Sequence, residues 1–261
     1  MLAKLQHLAV NLVDTLKPKR DERGATAADH GMSAKSPRPR PARPDAEPFI
    51  LVPILSFLLT SAVATLWEQA SSGKLADGAG ALTIIHQLLR LTFYVLMISL
   101  LLVRKPSKST APARRAAVAA YVGTFTPFLL VLEGMRDKAG QTLTVVAVLV
   151  TTLGLGLSVY ALGWLGRSFG VVPQARELVR SGPYRYVRHP LYVAEFITFV
   201  GAILTVVTPF SAAVLVLFVA AQTYRAIQEE KVLKVAFPEY ESYMSQAGRF
   251  TPRWQVLSGA S

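Results

Sequence analysis

Cysteine is missing from this 261-residue chain. That excludes disulfides, thiolate zinc sites, iron–sulfur clusters and a cysteine nucleophile. Charge is scarce as well, at 17% of residues, where soluble domains carry about a quarter. Acidic residues are the scarcer sign, 16 against 28 Lys and Arg. The four histidines, His7, His30, His86 and His189, are scattered with no pair at metal-ligand spacing, so no protein-held metal is expected. Apolar residues are abundant, at 52%. With a positive mean hydropathy, a membrane protein is the first expectation.

Residues 1–16 place Leu2, Leu5, Ala9, Leu12, Val13 and Leu16 at helical spacing, which predicts an amphipathic surface helix. Lys4, His7 and Asp14 interrupt it, so it does not read as a signal peptide. Residues 17–48, with Pro37-Arg38-Pro39-Arg40-Pro41, read as a disordered basic linker. Apolar runs of spanning length, for which about 20 residues suffice, then lie near 49–67, 82–103, 116–133 and 142–165. A further region, 191–224, is broken by Thr208-Pro209 and reads as a helical hairpin, because proline lacks a backbone donor. The expected fold is all-α: a polytopic membrane helical bundle of five to six spans with a C-terminal helical hairpin. Its parts are residues 1–48 (helix and linker), 49–135 (N-terminal spans) and 136–261 (core with hairpin and tail).

Basic residues set the expected orientation. With the N-terminus in the cytosol and six crossings, segments 1–47, 104–115, 167–188 and 225–261 hold 24 Lys and Arg. The opposite loops hold Lys74, Arg136 and Lys138. The positive-inside rule puts the basic side in the cytosol. The net charge of +12 therefore reports topology and contact with membrane lipid, and no nucleic-acid partner is expected.

The most concentrated polarity is the run Gly182-Pro183-Tyr184-Arg185-Tyr186-Val187-Arg188-His189-Pro190-Leu191-Tyr192, wedged between apolar segments. Unpaired charges beside lipid are costly, so the run reads as a cytosol-facing pocket. Pro190 disfavours helix at His189 and suits the first turn of the helix that follows. After the hairpin, Arg225, Glu229 and Leu233 share one helix face, with Glu230 beside them. Two ionisable residues, Arg90 and Glu195, fall inside apolar spans, where such groups usually face the bundle interior. The alternatives for Arg90, one turn from His86, are snorkelling or an ion pair that fastens helices. Tyrosines and arginines at a boundary also form interfacial belts. It is their joint arrangement that speaks for a pocket.

The pattern L-V-x-S-G-P-Y-R-Y-x-R-H-P-x-Y, a hairpin, then R-x-x-x-E-E-x-x-L and F-P-x-Y-x-x-Y, resembles the isoprenylcysteine carboxyl methyltransferase family. That family is similar in turn to the integral-membrane phospholipid N-methyltransferases, and the likeness covers roughly residues 142–254. The resemblance implies a multi-span enzyme using S-adenosylmethionine. It implies that Arg176, Glu177, Leu178, Val179, Tyr184, His189, Pro190, Leu191 and Tyr192 contact or border the cofactor. Glu229 would close that pocket and Arg225 would face the methyl acceptor, these two being the catalytic candidates. Where the family pattern often has Gly, two residues after the motif tyrosine, this chain has Ala194.

The residue types suit such a ligand. Tyrosine faces attract a sulfonium cation, Glu229 can accept from ribose hydroxyls or an ammonium, and Arg188 or His189 can bind a carboxylate. An in-line attack on the methyl group calls for positioning and exclusion of water. A carboxylate acceptor needs no base, whereas an amine or thiol makes Glu195, Glu229 or Glu230 candidates. The expected partner is a lipophilic or lipid-attached acceptor. Two other readings remain at this level: a sterol-type membrane reductase using NADPH, which carries a similar Arg-His-Pro segment, and a non-enzymatic membrane adaptor using the basic arm.

Overall fold

The computed structural model describes residues 47–72, 80–107, 109–110, 114–132 and 140–253. The amphipathic helix expected at 1–16, and the linker apart from its last two residues, lie outside these residues. Among these residues seven α-helices follow one another: α1 Glu47–Ser71, α2 Gly80–Val103, α3 Arg114–Phe125, α4 Gln141–Leu165, α5 Pro190–Ile203, α6 Pro209–Ala236 and α7 Tyr240–Gln246. A two-residue strand, β1 Ser109–Thr110, pairs antiparallel with β2 Gln174–Ala175. The all-α membrane bundle expected from the sequence is the fold observed.

α1, α2, α4 and α6 are long and apolar enough to cross a bilayer. At about 1.5 Å per residue each exceeds a hydrocarbon core of about 30 Å. The run at 116–133 is less regular than expected. α3 stops at Phe125, and Thr126–Leu132 continues as a 3-10 helix. Pro127 lies at that change, where a missing N–H and a ring clash stop the α-helix.

The hairpin forms with arms of unequal length. α5 has 14 residues and α6 has 28. Thr208 caps α6, its hydroxyl accepting from the Ser211 N–H at 3.1 Å while the Ser211 hydroxyl accepts from the Thr208 N–H at 3.0 Å. Pro209 occupies the first turn, where its lost donor costs nothing. No proline or glycine follows until past Ala236, so the second arm and the helix carrying Arg225 and Glu229 are one rod. The sequence pattern divides them near residue 224, and the structure joins them.

α4 packs on both α2 and α5, while α3 packs on α6. The α4–α5 seam is built on small residues. A Cβ on Gly154 would run into the Thr198 backbone, and one on Gly201 would run into that of Thr151. Such close approach gives dispersion contacts that lipid cannot replace. Below it, Leu100, Leu101 and Leu162 are fully buried with Phe169 and Val171. We expect Gly154→Leu to force the helices apart and cost about 1–3 kcal/mol. Thermal unfolding of the detergent-solubilised protein would show this as a lowered midpoint, while Gly163→Ala, with no atom near its added carbon, leaves the midpoint in place.

Candidate functional site

The bundle end where α1 and α5 begin, and where α2, α4 and α6 end, gathers the polar residues. Glu47 starts the assembly. Its buried carboxylate pairs with Arg104 just past α2, and it accepts from the N–H groups of Val171 at 3.1 Å and Val172 at 2.8 Å. The Arg167 Nε donates to the Val103 carbonyl at 2.8 Å, and Lys105 pairs with Glu177 at 2.7 Å. Arg176, also buried, donates to the Lys105 carbonyl and to Gln174. These bonds hold the segment after α4 across the end of α2 and satisfy charges that burial would otherwise penalise.

The motif follows. Gly182 has φ +60°, and a Cβ there would collide with the Trp164 indole. Only glycine meets both demands. A 3-10 turn, Gly182–Arg185, leads to an extended stretch that the C-terminal tail clamps. The Arg188 N–H donates to the Gly248 carbonyl at 2.8 Å and that of His189 to Arg249 at 3.1 Å. The Tyr243 hydroxyl donates to the Tyr184 carbonyl. Burial pushes the Tyr243 phenol upward, which keeps that donor protonated.

α6 answers with two carboxylates. Glu230, buried, takes Arg249 on both oxygens at 2.8 and 3.0 Å, with His189 Nε2 and Arg188 Nε each 3.2 Å from its Oε1. Glu229 accepts from the Tyr192 hydroxyl at 2.7 Å, with His189 Nδ1 3.9 Å away. The His189 ring stacks on Tyr192 at 5.1 Å, nearly parallel. One turn earlier, Arg225 sets its guanidinium 4.7 Å from the Tyr192 ring centre and donates to the Gly170 carbonyl at 3.2 Å. A desolvated contact of this kind is worth about 2 kcal/mol. Arg225 also reaches Gln222, which donates to Glu195.

Two cavities meet at this centre. A small polar one of about 40 Å³ is lined by Tyr184, Arg188, His189, Leu191, Tyr192, Arg225 and Glu229, with Phe169 and Gly170 opposite. A larger one of about 350 Å³ runs into the bundle between α1, α2, α3, α4 and α6. Its wall is mostly apolar, with residues such as Leu55, Phe93, Met97, Leu155 and Phe218. Phe169 and Arg225 line both.

Of the residues predicted for the site, Tyr184, His189, Leu191, Tyr192, Arg225 and Glu229 come together at the small cavity. Arg176 and Glu177 instead pin the preceding loop to the end of α2. Leu178 packs against Val232, Phe237 and Tyr240, Val179 is buried, and Pro190 opens α5; none of these lines either cavity. Ala194, in place of the family's glycine, is buried on α5. Sequence reasoning missed Phe169, Gln222, Arg249 as a Glu230 partner, and Glu47. The signal for Glu47 was a lone acid at the mouth of an apolar run, with Arg104 at the far end of the next.

The fold and its paired cavities define an integral-membrane helical protein with a polar site at one end of the bundle. Residues 139–239 match the family model described as phospholipid methyltransferase. This match covers the part of the chain that carries most of the motif residues, less than half of its length. Over 123 residues the chain is 37% identical to the cobalt-zinc-cadmium resistance protein CzcN of Cupriavidus metallidurans, covering 45% of this chain and 56% of that protein. It is 32% identical over 117 residues to the nickel-cobalt-cadmium resistance protein NccN of Alcaligenes xylosoxydans xylosoxydans, covering 44% and 55%. The matches thus span a little over half the length of these curated relatives.

Glu230→Ala leaves the buried Arg188 without its carboxylate and removes the partner of His189 and Arg249, which typically costs about 3–5 kcal/mol. We expect the variant to unfold at lower temperature in detergent. The tail around Arg249 should also become open to limited proteolysis at once.

Proposed function

We propose that this protein is an S-adenosylmethionine-dependent methyltransferase of the membrane, acting on a lipophilic or lipid-attached acceptor. The observation that carries the reading is the shared wall: Arg225 and Phe169 separate a polar pocket from an apolar intramembrane cavity, inside the segment matched to the family. A water-soluble cofactor and a lipophilic acceptor call for two such compartments in contact. We also place this end of the bundle in the cytosol, on the distribution of Lys and Arg.

The residues fit the cofactor by their chemistry. Tyr184 is buried with its hydroxyl unpartnered at the small cavity, and burial with Glu229 nearby raises its phenol well above the usual range. It is a neutral donor awaiting an acceptor. Arg188 supplies a cationic donor, His189 a ring nitrogen and Glu229 an acceptor, groups that a zwitterionic amino acid moiety and a ribose can use. A space of about 40 Å³ holds little more than one water, so a ligand of this size enters by displacing the 169–174 segment or the tail. S-adenosylmethionine, when bound, supplies the methyl group. Glu229 orients Tyr192, and Phe169 excludes water. Arg225 fixes the acceptor's reacting end at the boundary, which favours in-line approach.

The relatives named above are metal resistance proteins by name. Among the described residues of this chain, no three His, Asp or Glu side chains group as a metal site. Any such role for this protein would run through the molecule it methylates.

Calorimetry on the purified protein tests the reading. S-adenosylhomocysteine should bind and NADPH should not; binding of NADPH alone would replace the proposal with a reductase. His189→Ala and Glu229→Ala should each weaken S-adenosylhomocysteine by about tenfold or more, the value of a hydrogen bond to a charged group. Arg225→Ala should leave cofactor affinity within a few-fold and reduce transfer of labelled methyl into extracted lipid.

A further inference from the structure

The intramembrane cavity is not apolar throughout. His86, Arg90 and Tyr94, one helical turn apart on α2, all line it. Arg90 lies 14 residues before Arg104, so it sits roughly 20 Å below the polar end of the bundle. Its Nε and Nη2 are buried without a hydrogen-bond partner, and among the described residues no carboxylate pairs with it. The acid on the cavity wall, Glu195, is engaged by Gln222 near Arg225. His86 is engaged by Thr152 at 3.1 Å. A guanidinium inside a bilayer without an anion is expensive, and such groups mark binding paths. The interaction that fastens helices, an ion pair, is missing here.

We propose that Arg90 binds the acidic group of a single-chain amphiphile whose hydrocarbon body fills the cavity toward Arg225. The charge complement is an anion, since the deep wall offers cationic and hydroxyl donors. The size complement is one chain: about 350 Å³ is at the small end of the range for ligand pockets. α1 and α3 both line the wall and do not pack closely on each other. Arg90 then acts as a specificity residue, because a plain hydrocarbon tail would leave its guanidinium buried and unpaired. The binding of this amphiphile does not rest on the function proposed above.

The test uses the full chain in nanodiscs with two fluorescent probes, a dansyl-tagged undecanoic acid and its methyl ester, read against empty nanodiscs. Wild-type protein should bind the acid about tenfold or more tighter than the ester, as a charge-assisted hydrogen bond provides. Arg90→Leu should reduce the acid to the level of the ester without weakening the ester, and Arg90→Lys should restore part of the preference. Equal binding of acid and ester by the wild type overturns the proposal without any variant. An acid preference that survives Arg90→Leu overturns it as well. S-adenosylhomocysteine affinity, measured on the same samples, should not change in Arg90→Leu, which shows that the polar end is folded. Failure of S-adenosylhomocysteine to bind the wild type would sink the methyltransferase reading and leave the acid-over-ester result standing.

Discussion

Glu230 pairs with two side chains of the motif before α5, Arg188 and His189, and with Arg249 in the tail after α7. One buried carboxylate thereby fixes three stretches that are far apart in sequence. Buried as they are, Glu230 and Arg188 are each costly without the other. Beside them His189 is held with one ring nitrogen toward Glu230 and the other toward Glu229, and its ring is stacked on Tyr192. The geometry of the small cavity follows from that arrangement. Glu47 plays the same part on the opposite side, joining α1, Arg104 and the backbone after α4.

The long spans were legible because length and apolarity alone decide them: 25 residues of α1 and 24 of α2 leave no other stable solution in lipid. The motif was legible because its glycine, prolines and charges break the apolar text in a fixed order. Irregular backbone was harder to read. α3 gives way to a 3-10 helix at Thr126-Pro127, and α5 is too short to cross alone; both outcomes depend on neighbours that no local window contains. Arg176 and Glu177 show the same difficulty within the site. Their types suit a ligand, but the end of α2, brought alongside by tertiary packing, supplies Lys105 as partner to both. Glu47 and Arg104, 57 residues apart, leave no spacing that a reader of sequence could recognise.

Cavities inside membrane bundles face two opposing demands. An apolar wall suits a lipophilic occupant, and a charged wall is tolerated only where something balances it. In this protein the two demands are met at different depths. Arg225 is engaged by Gly170, Gln222 and the Tyr192 ring at the polar end, whereas Arg90 lies far below among Phe93, Tyr94 and Met97. The α4–α5 seam, closed by Gly154 and Gly201, stiffens one side of the space, and the loosely joined α1 and α3 form the other.

Arg225 belongs to both cavities at once. Whatever enters one compartment alters the partners available to that guanidinium, and so alters the affinity of the other compartment. Such an effect is thermodynamically reciprocal: the factor by which one occupant helps or hinders the other is the same in both directions. The two compartments are therefore tied by a shared wall, in which Arg225 is the charged member and Phe169 the apolar one.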